Sequence, residues 1–151
     1  MRSLFISIIF LAALSGCSAS PKCSSPDAVG IVATLRPDDQ FRAMLTMLVK
    51  RTQTAAMTTK RDGPAANQNL SKAIDAAVER HRGEWRRNLV ASWSILSPSE
   101  LQQVCAAIGK RDQAVFKKFA ERVGGDVQSR NEPVLKQASA EVLDQLWSNR
   151  E

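Results

Sequence analysis

The chain has 151 residues, a length that fits one domain with a sizeable buried core. Hydrophobic residues make up 44% and charged residues 24%, which excludes a fully disordered chain and a protein with several membrane spans. The formal net charge of +6 predicts a basic surface for nucleic acid, anionic lipid or an acidic protein, and the compartment must decide among these partners.

The first sixteen residues have the layout of a secretory signal peptide. Met1-Arg2-Ser3 supplies a short positive start, and residues 4–14 form an apolar run. As a helix this run would be roughly 16 Å long against a hydrocarbon core of about 30 Å, too short for a retained membrane anchor. We therefore expect this leader to be removed and not retained as an anchor.

The tetrapeptide Leu14-Ser15-Gly16-Cys17 closes the run. It resembles a bacterial lipobox, the pattern that directs diacylglyceryl transfer to the cysteine sulfur, cleavage before the cysteine and acylation of the new amino terminus. The resemblance implies a covalent diacylglycerol and N-acyl lipid on Cys17 and no other cofactor. The alternative is an ordinary secretory protein cleaved at a small-x-small site such as Ser18-Ala19-Ser20, where Pro21 fits a protease groove poorly.

Ser18 stands after the cysteine where an aspartate could stand. This resembles the outer-membrane sorting pattern of lipoproteins in bacteria with two membranes. It implies a lipid-anchored protein of the cell envelope, on the periplasmic face of the outer membrane. Membrane lipid is then a partner through Cys17, and nucleic acid is not expected.

The three cysteines, Cys17, Cys23 and Cys105, leave one thiol over in an exported protein. Lipidation of Cys17 removes the odd one, so Cys23 and Cys105 become the pair that can form a disulfide. That bond would close a loop of about 80 residues and stabilise the fold by roughly 4 kcal/mol on the chain-entropy model. The alternative is two free thiols, with Cys105 buried as a small hydrophobic residue.

Helices follow a polar lead-in over residues 17–25. Ser25-Pro26-Asp27 predicts a first helix with the serine as cap, and Pro37 predicts a second that runs to about residue 57. Residues 58–69 contain Asp62-Gly63-Pro64 and predict a surface loop. Apolar residues at helical spacing predict the inward faces: Ala28, Val29, Ile31, Val32 and Leu35; Phe41, Met44, Leu45, Leu48 and Val49; then Leu70, Ile74, Ala77, Val78, His81, Trp85, Leu89, Trp93 and Leu96.

Ser97-Pro98-Ser99-Glu100 predicts a capping box at the start of the next helix. We expect Gly109 to end that helix, Asp112 to cap another and Gly124-Gly125 to stop it, with a last helix begun or broken near Pro133. The predicted inward residues are Leu101, Val104, Cys105 and Ile108; Val115, Phe116, Phe119 and Val123; and Val134, Leu135, Ala138, Val142 and Leu146 or Trp147. The expected fold is all-α, a single helical domain of five or six helices over residues 26–151.

Residues 28–57 and 85–147 resemble an uncharacterised family of helical periplasmic proteins. Trp93 followed by Ser97-Pro98-Ser99-Glu100-Leu101 carries the resemblance. The family usually continues with an aromatic pair and a Ser-Pro-x-Gly turn, whereas this chain reads "AAIGKRDQAVF". The resemblance implies a helical fold and a periplasmic location and no known activity.

His81 is the only histidine, so a histidine-rich zinc site is not expected. Its place on the apolar face predicts a buried histidine with one hydrogen bond. The alternative is an envelope hydrolase that uses His81 with Asp75, Glu79 or Glu84. We expect no catalytic residues and no metal.

Two basic clusters remain, "RHRGEWRR" and "KRDQAVFKK". As ordinary helix surface they would form weak ion pairs, and as a functional surface they would contact anionic headgroups or an envelope protein. The predicted contact residues are Arg80, Arg82, Arg86, Arg87, Lys110, Arg111, Lys117 and Lys118. The expected protein is a membrane-anchored envelope lipoprotein with a basic binding or structural domain.

Overall fold

A computed structural model describes the backbone of residues 22–148 and their side chains outside 53–56 and 58–64. The predicted signal peptide and the lipid site at Cys17 lie outside the described residues. Within residues 22–148 the chain forms five α-helices and no strand. These helices are α1 (Ala28–Thr34), α2 (Pro37–Lys50), α3 (Gln53–Trp93), α4 (Pro98–Lys110) and α5 (Gln113–Ser148). The predicted all-α class is confirmed.

The contacts between residues divide the chain into two compact units. Among the described residues, unit 1 comprises 22–37 and 86–130, and unit 2 comprises 38–85 and 131–148. Helices α3 and α5 contribute residues to both units. Each unit has its own aromatic contact, since Trp93 packs on Phe116 in unit 1 with ring centroids 5.9 Å apart, and Phe41 stacks on Trp85 in unit 2 at 4.8 Å.

The predicted inward face of α3 is confirmed at every position from Leu70 to Trp93, and Leu96 beyond the helix is buried too. Trp85 and Trp93 are core residues, exposed by 2% and 0%. The loop predicted over residues 58–69 is wrong, because α3 runs through it. Ala66 is buried four residues before Leu70, so the apolar stripe starts earlier than the sequence signal indicated.

Helix α1 begins two residues later than Ser25-Pro26-Asp27 indicates. Asp27 is the N-cap, and its carboxylate accepts a hydrogen bond from Gly30 N at 2.7 Å. The Ser25 hydroxyl donates to Asp27 at 2.5 Å, so the serine supports the cap instead of forming it. Val29, predicted to point inward, is 63% exposed.

Helix α2 ends at Lys50, earlier than the predicted residue 57. Residues 51 and 52 form a turn, and α3 begins at Gln53. Phe41, Leu45 and Val49 are fully buried, whereas Leu48 of the predicted stripe is 40% exposed. One apolar side chain per turn is enough to seat this helix in unit 2.

The capping box before α4 is confirmed. The Ser97 hydroxyl accepts from Glu100 N, and the Glu100 carboxylate accepts from Ser97 N at 2.8 Å. Gly109 does not end the helix, which continues to Lys110. Arg111 closes it in the left-handed conformation at φ 57°, where its N–H bonds the carbonyls of the last turn.

Helix α5 is longer than predicted. Asp112 caps it as expected and accepts from Val115 N at 3.1 Å, but neither Gly124-Gly125 nor Pro133 stops it. Buried side chains recur every three or four residues on both sides of the glycines, and this burial offsets a propensity cost of about 1 kcal/mol per glycine. Pro133 and the residue four before it are exposed, so water can bond the carbonyl left over. Near the end Leu146 is buried and Trp147 is 63% exposed.

Candidate surface-binding site

The predicted cysteine pair lies in unit 1. The sulfurs of Cys23 and Cys105 are 2.07 Å apart, a bonding distance, and their Cα atoms are 5.4 Å apart. The bond ties the segment before α1 to the middle of α4. Gly30 of α1 also packs closely on the backbone of Ser25 in this segment, so the chain from Cys23 onward has a fixed place in unit 1.

The net charge is concentrated in unit 1. The described part of this unit holds ten lysines and arginines against five aspartates and glutamates, a formal charge of +5. The described part of unit 2 holds nine of each sign and is neutral. Almost all of the positive charge of the protein therefore belongs to the unit that carries the disulfide.

Two carboxylates of unit 1 are used inside the fold as helix caps, Asp27 for α1 and Asp112 for α5. The hydrogen bonds from Ser25 and from Gly30 N hold the pKa of Asp27 below its usual range.

The other three carboxylates of unit 1 take part in ion pairs. Glu100 pairs with Arg122, and the hydrogen bond from this guanidinium, with those from Ser97, lowers the pKa of Glu100 to about 2. Lys117 Nζ lies 3.7 Å from Glu121, a loose pair one helical turn apart. The third is Asp126, which pairs with Arg130.

A polar cluster that the sequence did not indicate joins α3 and α5 in unit 1. The fully buried Ser92 donates to Asp126 Oδ2 at 2.7 Å, and Arg130 Nε donates to the same oxygen at 2.5 Å. Asn88 Nδ2 donates to the Arg130 carbonyl at 3.0 Å. The bonds from Arg130 and Ser92 hold the pKa of Asp126 low. The available signal was a serine between two inward positions, Leu89 and Trp93.

The structure distributes the eight predicted contact residues unequally. Arg80 and Arg82 belong to unit 2, where Arg80 pairs with Glu141 at 2.9 Å and Arg82 with Glu79 at 2.6 Å. The other six share unit 1 and its charge excess: Arg86, Arg87, Lys110, Arg111, Lys117 and Lys118. Lys118 Nζ lies 5.7 Å from the centre of the Phe119 ring. The candidate basic surface is therefore the set of six in unit 1, joined by the exposed Lys22.

His81 is buried in unit 2 at 8% exposure, and its carboxylate partner is Glu141, not Asp75, Glu79 or Glu84. His81 Nε2 lies 2.9 Å from Glu141 Oε1. Arg80 Nε donates to Glu141 Oε2 at 2.9 Å, and Gln137 donates to Oε1 at 3.3 Å.

Burial raises the pKa of Glu141, but the hydrogen bonds from His81, Arg80 and Gln137 together outweigh it and hold the pKa below its usual range. A carboxylate bound by three donors on two helices forms an ion-paired clamp between α3 and α5 within unit 2. The predicted hydrolase alternative requires a carboxylate that orients His81 toward a substrate. In the structure that carboxylate, Glu141, also accepts a hydrogen bond from Arg80.

Residues 22–148 contain no helix that is both long and apolar enough to span a membrane. In the same range no three His, Cys, Asp or Glu side chains are grouped so that they could hold a metal ion. Comparison with known proteins finds no matching protein-family model, no matching curated protein and no matching solved structure. The resemblances to a lipobox and to a helical periplasmic family stay predictions.

Proposed function

We propose that the protein is a lipid-anchored lipoprotein of the bacterial cell envelope whose unit 1 binds an anionic membrane surface. It acts by binding and not by catalysis. The lipid on Cys17 holds the chain at the bilayer, and the basic side chains of unit 1 add electrostatic attraction to acidic headgroups.

The observation that supports this proposal is that the segment leading to the lipid site and the excess of positive charge both belong to unit 1. Cys17 and Cys23 are six residues apart, a span of at most about 20 Å. Cys23 is fixed to α4 of unit 1, and unit 1 carries the formal charge of +5. The anchor and the charge excess therefore belong to the same unit, so the basic side chains are brought to the bilayer together with the lipid.

The leader and Ser18 support a location on the periplasmic face of the outer membrane, which is part of this proposal. An envelope protein with an acidic surface would fit the same cations. Lipid is the simpler partner because the anchor already supplies it at short range.

The first experiment tests the anchor. Expression of the full chain, with its leader, in a bacterium that lipidates exported proteins should give a mature protein whose intact mass includes the lipid and which fractionates with membranes. Cys17→Ser should lose both properties, while Cys23→Ser/Cys105→Ser should keep both. An unlipidated wild-type protein would refute the proposal.

The second experiment tests the surface. The Cys17→Ser protein should bind vesicles that contain phosphatidylglycerol and release them as salt rises. Removal of three unit 1 charges, as Arg87→Gln, Lys110→Gln and Lys118→Gln, should weaken binding roughly a hundredfold at about 1 kcal/mol per charge. The matched control is Lys50→Gln, Lys72→Gln and Lys136→Gln in unit 2. Equal losses in both triple variants would contradict the assignment to unit 1.

A further inference from the structure

The Cys23–Cys105 disulfide attaches the segment before α1 to α4, and an exposed lysine lies near each of the two cysteines in the sequence. Lys22 is exposed and directly precedes Cys23. Lys110 is exposed at the last turn of α4, five residues after Cys105, which places its Cα about 9 Å from that of Cys105.

The link brings these two lysines near each other. The Cα atoms of Cys23 and Cys105 are 5.4 Å apart. With about 4 Å from Lys22 to Cys23 and about 9 Å from Cys105 to Lys110, the two lysine Cα atoms lie within about 18 Å. Each amine extends several ångströms further, so one patch of headgroups can contact both.

The bond also sets the length of the tether. Six residues separate Cys17 from Cys23, about 20 Å when extended. Without the bond, the first point at which the chain is held to unit 1 would be Ser25, packed against Gly30 and eight residues from Cys17, and the span would grow to roughly 26 Å.

We propose that the Cys23–Cys105 bond orients the protein on the membrane, presenting Lys22 and the Lys110 end of α4 to the phosphates of anionic lipid headgroups. This inference rests on the proposed function and adds to it the contact surface and the role of the disulfide. A tether of about 20 Å that is bonded directly to α4 leaves this end of unit 1 facing the bilayer. Without the bond the tether is about 26 Å long and no longer joined to α4, so unit 1 can turn away.

Lysine footprinting on the lipidated full chain tests this orientation. The protein is reconstituted into vesicles of phosphatidylcholine with phosphatidylglycerol, or of phosphatidylcholine alone, and its amines are acylated and quantified by mass spectrometry. We expect acylation of Lys22 and Lys110 to slow about fivefold in the anionic vesicles. Lys72 and Lys136, exposed in the neutral unit 2, are the internal controls and should not change.

The Cys23→Ser/Cys105→Ser protein, still lipidated at Cys17, should lose the protection of Lys110 and bring it to the rate of the control lysines. A helical circular dichroism spectrum checks that this variant is folded, and if it is not, the wild-type footprint alone decides. Equal protection of all four lysines, or none at Lys22 and Lys110, overturns the inference.

Two further outcomes separate the proposals. A wild-type chain that carries no lipid refutes the proposed function, and this inference with it. A lipidated chain with unprotected Lys22 and Lys110 overturns the orientation alone. Protection that requires added envelope proteins assigns the surface to a protein partner and also overturns it.

Discussion

Among single residues, Glu141 shows how a half-buried carboxylate is kept ionised in unit 2. It accepts hydrogen bonds from His81, Arg80 and Gln137, so its ionised form is stabilised although the site is partly buried. Glu141→Gln would leave the buried His81 with a weaker partner, and we expect unfolding to become easier by about 1–3 kcal/mol. Urea denaturation at neutral pH measures this change.

Lys136→Gln is the matched control on the same helix. Its pair with Glu132 lies at the surface, with side chains 73% and 52% exposed, and should contribute less than about 1 kcal/mol. If the two substitutions lower the free energy of unfolding equally, the hydrogen bonds to Glu141 do not stabilise unit 2 as proposed.

Glu100 gives a pH dependence whose sign can be worked out. Its pKa is lowered from 4.5 to about 2, first by Arg122 and then by Ser97. The folded protein therefore binds the proton less readily than the unfolded chain, and the ionised group stabilises the fold above about pH 4.5. That stabilisation should be lost as the pH falls from 4.5 toward 2.

Urea unfolding across this pH range should show the loss in wild type and a smaller one in Glu100→Gln, so that the two proteins converge in acid. Arg122→Gln, which keeps the carboxyl but removes the main cause of the shift, should move the pKa of Glu100 upward in a carbon-13 NMR titration. A titration near 4.5 in the wild type would contradict the ion pair.

Whole helices follow the sequence where strong local signals and burial agree. The capping box at Ser97 and the cap at Asp112 are local, and the eight inward residues of α3 repeat at helical spacing, so all were predictable. The helix breaks at residues 58–69 and at Gly124-Gly125 were wrong, since tertiary burial at Ala66, Val123 and Val127 outweighs local propensity. Helix propensity is a weak prior, and these segments show what overrides it.

The sequence patterns did not predict which side chains form hydrogen bonds between two different helices. Ser92 with Asp126 and His81 with Glu141 are pairs separated by 34 and 60 residues. No spacing rule within one helix connects them, because the register between two helices is set by packing. The cysteine pair was accessible only because cysteines are few.

Substitution of glycine by alanine should raise the stability of the fold at Gly125 and lower it at Gly30. Gly125 has open space where a Cβ would be, so Gly125→Ala should stabilise α5 by about 0.5–1 kcal/mol. At Gly30 a Cβ would lie 2.8 Å from Ser25 N and closer still to the Ser25 carbonyl, so Gly30→Ala should destabilise by about 1–3 kcal/mol. Thermal unfolding of both variants tests this, and stabilisation by Gly30→Ala would show that the segment before α1 is not packed as described.

Across the whole molecule, charge and covalent linkage give the two units different characters. Unit 1 has a formal charge of +5 over its described residues, and unit 2 has none. The carboxylates of unit 1 are used as caps and ion pairs, which leaves more cations than the unit can neutralise. A net positive charge of this kind attracts anions and anionic surfaces, most strongly at low ionic strength.

The disulfide acts on the stability of the chain as a whole. Cys23 and Cys105 are 82 residues apart, so the bond removes a large part of the freedom of the unfolded chain. On the chain-entropy model, adding Cys23→Ser and Cys105→Ser to the unlipidated Cys17→Ser protein should lower the free energy of unfolding by about 4 kcal/mol, with Cys17→Ser alone as the matched control that keeps the cross-link. Thiol titration of denatured, unreduced Cys17→Ser should find no free thiol, and two after reduction.

The variant without the disulfide should still fold, because the buried side chains of Ile31 and Val32 also hold α1 in unit 1. A loss below about 1 kcal/mol would mean that the unfolded chain is already constrained without the bond, and two free thiols in the unreduced protein would mean that the bond does not form.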